Sequence, residues 1–126
     1  MKTIISALLI VLATSFSSLA LADGHTTLRV VMVNTDDVDA YVAELTKGKE
    51  IMSKIAPKMN MRAWQATFAG PNTGAVIVGL EYPGSLADFA AAWDKILADK
   101  KMASWLKGLS PIRTLVGDSL YRELSI

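Results

Sequence analysis

The run Ala75-Val76-Ile77-Val78-Gly79-Leu80-Glu81-Tyr82 decides the fold. Val76, Val78, Leu80 and Tyr82 alternate with Ala75, Ile77 and Gly79, and no polar side chain interrupts either side before Glu81. A strand apolar on both faces belongs in the middle of a sheet, covered from above and below. Just before it, Ala69-Gly70-Pro71-Asn72-Thr73-Gly74 is built from turn residues. Before that, Met61 to Phe68 is a second β-rich run, so the two form a hairpin with a loop longer than the tightest kind.

Outward from the hairpin the pattern changes period. Upstream, Val38, Tyr41, Val42, Leu45, Met52 and Ile55 recur at helical spacing and end before Pro57. Asn34, Thr35, Asp36 and Asp37 supply capping side chains and negative charge at that helix's start, with Asn34 read as a helix-capping residue. Ahead of them Thr27 to Val33 is a β-branched strand, with Leu28, Val30 and Met32 on one side and Arg29, Val31 and Val33 on the other. Downstream, Pro83-Gly84 breaks the chain and Ser85 with Asp88 opens a second helix. Its stripe is Leu86, Phe89, Ala90, Trp93, Ile96 and Leu97. A kink over Ala98 to Lys101 leads to a further short turn ending at Gly108. Ile112 to Val116 is a strand, Gly117-Asp118 a bulge or tight turn, and Ser119 to Ile126 a last extended segment.

The order is βαββαβ, which predicts an α+β ferredoxin-like sandwich: a four-stranded antiparallel sheet with two helices on one face. Two helices leave the other face bare, although two strands are apolar on both sides. A second copy laid sheet to sheet is the simplest cover, so a homodimer is expected.

The first residues have a different character. Lys2 precedes an uncharged stretch from Thr3 to Ala22, apolar at its centre and closed by Ala20-Leu21-Ala22. Small residues at the first and third places of that triplet suit signal peptidase. A membrane span needs about 20 strongly apolar residues, whereas Thr14, Ser15, Ser17 and Ser18 dilute this one. Residues 1–22 are therefore read as a signal peptide and residues 23–126 as a single domain, periplasmic or secreted after cleavage near Ala22, with no membrane attachment thereafter. Asp23 to Thr26 is a polar lead-in carrying His25, the chain's one histidine.

Without Lys2 the basic and acidic residues are equal in number and spread without runs. No nucleic-acid footprint or polybasic membrane patch is present. With no cysteine, burial and pairing with a second copy must do what disulfides do in many small exported domains.

On the Trp64 to Tyr82 hairpin, the Ser85-Leu86-Ala87-Asp88-Phe89 helix opening and the closing Leu120-Tyr121-Arg122-Glu123, the chain resembles the dimeric α/β-barrel superfamily. That group includes antibiotic-biosynthesis-type monooxygenases that work without a cofactor, and NIPSNAP-like proteins. The resemblance covers Leu28 to Leu124. It implies a barrel formed by two sheets across a dimer, with ligands between the sheet and helices of each subunit. Haem-degrading members look built on an Asn ending strand one, a Trp in the sheet and a His on the second helix. Asn34 and Trp64 match the first two, but Leu86 to Leu97 holds no His.

Cofactor-free oxygen chemistry requires a shaped apolar pocket, a group that orients the substrate and a base. Trp64, Gln65, Glu81 and Tyr82 on the hairpin, joined by Arg113 and Tyr121, are the candidate ligand-binding residues, with Trp64 and Glu81 the candidate catalytic pair. The plainer reading makes Trp64 and Trp93 core, Tyr82 an amphipathic edge, and Glu81 the partner of Arg62 or Arg113 in a cross-strand ion pair. No side-chain set suits zinc or iron, and the residues call for no cofactor. Met59 and Met61 beside Met52 are read as core filling before a copper(I) site. Three functions follow: a binder of a small apolar or aromatic molecule, an oxygenase using the same pocket, and a structural or partner-binding module with the pocket filled by side chains.

Overall fold

The computed structural model describes residues 25–126; the expected leader and its cleavage point lie outside them. Seven main elements follow: β1 (Thr26–Asn34), α1 (Val38–Ile55), β2 (Asn60–Gln65), β3 (Val76–Pro83), α2 (Leu86–Ala98), α3 (Lys100–Leu109) and β4 (Thr114–Arg122). The strands lie in the order β2-β3-β1-β4, and each neighbouring pair is antiparallel. This is the ferredoxin-like α+β fold expected, with β3 and β1 in the centre, where strands apolar on both sides belong.

Strand pairing sets the two faces. Val31 on β1 stands opposite Val78 on β3, and Met61 on β2 opposite Leu80, all buried against the helices. The helices answer with Tyr41, Leu45 and Met52 from α1, Phe89 and Ile96 from α2, and Met102 and Leu109 from α3. Met59 and Met61 join Met52 in this core, as flexible gap-filling side chains. Leu28, Val30 and Met32, with Ile77, form the middle of the opposite face and are only half-buried.

Local chemistry moves several boundaries. The cap of α1 is Asp37, whose Oδ1 accepts the Ala40 N–H at 3.0 Å, and not Asn34. Asn34 stays in β1, paired with Thr114, because the strand continues to that residue and leaves only Thr35 to Asp37 to make the turn. The covering layer holds three helices in place of two and a turn. Asp99 is the reason: with an extended backbone (φ −78°, ψ 131°) it ends α2 through its N–H to Ile96 O and starts α3 by accepting the Met102 N–H at 2.9 Å. β2 stops at Gln65, short of Phe68.

Nor does the last strand turn at Gly117-Asp118. It runs unbroken from Thr114 to Arg122 and absorbs the irregularity as a bulge: Met32 faces Gly117, Val33 faces Leu115, and Val116 is the extra residue. A continuous β1 partner keeps the ladder intact on either side of it.

Candidate functional site

Between sheet and helices the core is not filled. A cavity of about 80 Å³ lies over β1 and β3, floored by Val31 and Val78 and walled by Tyr41, Met102, Trp93 and Trp105. Each wall has a local cause. Tyr41 sits on the buried stripe of α1 and is wholly inaccessible. Trp105 of α3 lies against Gly48 of α1, where no side chain separates the helices, and its Nε1 donates to Glu44 O at 2.9 Å. Trp93 stacks on Phe89 one turn earlier in α2, with ring centroids 6.3 Å apart. Phe89 in turn meets Tyr82 edge-on at 6.5 Å.

The charged groups lining this cavity are Arg29, Arg113 and Asp118. Arg29 projects from the centre of β1 toward the helices, in line with Val31 and Val33. Its Nε and Nη2 donate to the two carboxylate oxygens of Asp118 at 3.0 and 2.7 Å, while its guanidinium lies 4.5 Å from the Trp93 ring centroid. A bidentate pair and a cation–π contact hold the side chain in one place. The hydrogen bonds from Arg29 keep the Asp118 carboxyl below its ordinary value, against a smaller opposing effect of burial. Arg113 donates from Nη1 to the Tyr41 hydroxyl at 3.2 Å.

Of the six residues expected to bind ligand, Arg113 alone lines the cavity. The others are distributed over the sheet. Trp64 and Glu81 lie on the face turned away from the helices, as does Tyr121, paired with Leu28. Trp64 crosses Gly79 so closely that a Cβ there would stand 2.9 Å from its ring, and Arg62 covers it at 4.9 Å from the ring centroid. Arg62 also reaches Glu81 at 3.5 Å, one of the two ion pairs considered for Glu81. Trp64 is thus no core residue; it is 45% exposed. Gln65 is turned toward the hairpin loop, with Nε2 3.5 Å from Gly74 O. Tyr82 packs on Phe89. One sheet cannot bring alternating residues to one pocket, so hairpin neighbours such as Glu81 and Tyr82 necessarily part company.

The cavity groups that the sequence reading passed over are Arg29, Asp118, Tyr41 and the two tryptophans on α2 and α3. One signal was available: Arg29 sits in register with Val31 and Val33, and an arginine on the core-facing side of a central strand needs a partner. Among the described residues no group of three or more His, Cys, Asp or Glu is placed to hold a metal ion.

As a sequence the chain matches no protein-family model and none of the curated proteins. Its fold does match solved structures. A NIPSNAP family protein from Agrobacterium tumefaciens aligns with TM-score 0.62 at 16% identity, over 81% of this chain and 85% of that one. An uncharacterised NIPSNAP domain protein from Burkholderia xenovorans gives 0.61 at 13%, over 81% and 94%. SnoaB, a cofactor-independent oxygenase from Streptomyces nogalater, gives 0.54 at 10%, over 81% and 93%. The chain therefore has the ferredoxin-like fold that NIPSNAP proteins and monooxygenases of the antibiotic-biosynthesis type share.

Proposed function

We propose that this is an exported protein, freed of its leader near Ala22, that pairs through the outer face of its sheet and binds a small apolar or aromatic molecule between sheet and helices. The observation that carries the binding reading is the aromatic-walled void. A cavity of 80 Å³ left without side chains costs at most about 2 kcal/mol at the penalty measured for enclosed core cavities. A ligand that fills it regains that amount, and the polar groups at its rim give the ligand an orientation. A pocket filled by side chains would leave no such space.

Pairing is supported by the outer face. Leu28, Val30, Met32 and Ile77 form an apolar strip there, flanked by the exposed rings of Trp64 and Tyr121. A second copy shields this strip without using either subunit's helices.

A second reading, oxygen chemistry in the same cavity, draws on the fold shared with a cofactor-independent oxygenase. It is the weaker of the two, because the cavity's one carboxylate, Asp118, is bound to Arg29 and held ionised, which makes it a poor proton acceptor.

Native mass spectrometry of the processed protein taken from its own exporting cells tests the proposal. Two copies carrying a low-mass adduct are expected. A ligand-free protein whose Trp93 and Trp105 fluorescence responds to no apolar or aromatic compound overturns the binding reading. Oxygen uptake with a phenolic substrate would promote the second.

A further inference from the structure

We propose, resting on the ligand-binding reading above, that the cavity takes a small organic monoacid, its carboxylate held by Arg113 and Tyr41 and its apolar end in the void. The inference comes from counting charge around the cavity. Arg29 is satisfied, since both oxygens of Asp118 are spent on it. Arg113 is not. It forms no ion pair among the described residues, and its one side-chain hydrogen bond goes to a neutral hydroxyl. A guanidinium carries five N–H donors in a planar fork, so most of this fork is unclaimed.

Tyr41 adds a second donor. Its oxygen accepts from Arg113, and among the described residues its own O–H donates to nothing. Tyr41 lines the cavity but is closed to bulk water, so an oxyanion reaches its hydroxyl with a small outward movement of the cavity wall. An oxyanion placed beside the pair satisfies both groups at once. On its other side Arg113 borders a groove that contains Asp36 and Asp37. Neither forms an ion pair with Arg113, and Asp37 is committed to the start of α1. The half-buried Arg113 guanidinium, which borders both spaces, is the one unmatched charge at the cavity.

Charge and size choose the class. One unmatched cation suits a monoanion, and a planar carboxylate fits the fork in two-point fashion. A cavity of 80 Å³ is about half the ~150 Å³ that holds benzene, so the tail is a short aliphatic chain or the edge of one ring.

The test uses matched pairs: hexanoate against hexanamide, and phenylacetate against phenylacetamide, titrated calorimetrically into the purified protein. Each acid is expected to bind about 10- to 100-fold tighter than its amide, the range for a charge-assisted hydrogen bond in place of a neutral one. Only the acid's affinity should weaken as salt rises. In Arg113→Met the acid should fall to the level of the amide, and Tyr41→Phe should remove part of the preference. Arg62→Met, on the opposite face of the sheet, should keep it in full. Equal binding of acid and amide by the wild-type protein overturns the monoacid assignment and leaves the cavity a binder of neutral molecules. Binding of neither overturns both. Because the acid and amide are compared on wild-type protein, misfolding of a variant does not rescue the proposal.

Discussion

Gly48 shows how one residue shapes the site. A glycine inside a helix ordinarily costs about 0.5–1 kcal/mol relative to alanine, so Gly48→Ala looks like a stabilising change. Here the space for a methyl group is occupied by the Trp105 ring. The substitution forces the indole off α1, and we expect a net loss of about 1–3 kcal/mol in urea denaturation, as for other overpacked cores. The same displacement enlarges or collapses the cavity wall, which a change in Trp fluorescence reports. Asp118 gives a second, pH-dependent expectation. Its folded pKa is depressed by the Arg29 hydrogen bonds, so the stability it adds is present above the ordinary value of 3.8 and is lost as pH falls through the lower folded value. Asp118→Asn should therefore cost stability at neutral pH, by less than about 1 kcal/mol for so exposed a pair, and the gap to wild type should close below pH 3.8. A constant gap across that range would disprove the assignment.

At the scale of elements, Asp99 turns the kink expected over Ala98 to Lys101 into a boundary between two separate helices. Phe89, Trp93 and Ile96 form one stripe, and Met102, Trp105 and Leu109 form a second that is out of phase with it. A capping aspartate between them turns the chain so that Trp93 and Trp105 reach the cavity from separate helices. Asp99→Ala removes the acceptor for the Met102 N–H, and a loss of about 1 kcal/mol is expected, with a matching rise in amide exchange over the first turn of α3. Much of this scale was legible beforehand. The strand–helix order, the hairpin and the Ser85–Asp88 capping box all follow from local chemistry, and the box is formed in both directions. What was not legible depends on partners distant in sequence. Of the bulge or tight turn expected at Gly117-Asp118, pairing with β1 selects a bulge and keeps β4 one strand, and Asn34 is a strand residue because Thr114 is its neighbour.

For the whole molecule, the expectation is that two copies meet across the outer face of the sheet. Val30 lies in the middle of that face, directly opposite Gly79 on one side and Ser119 on the other. Val30→Lys places a charge where a second sheet would pack, and sedimentation at micromolar concentration should then show one copy in place of two, with the helical signal unchanged. A wild-type protein that sediments as a single copy would remove the dimer.

The sequence alone determined the four strands, the two longer helices, their order and hence the ferredoxin-like sheet, because hydrophobic period, turn residues and caps act between near neighbours. It also determined that two strands carry apolar residues on both sides. Only the tertiary structure decided which residues surround the cavity. Arg29 with Asp118 and Tyr41 with Arg113 are separated by 89 and 72 positions, and no local rule selects such partners. Alternation along a strand sends adjacent side chains to opposite faces, so the aromatic and charged residues of the hairpin, neighbours in the chain, were divided between the cavity side and the outer face as soon as the sheet formed.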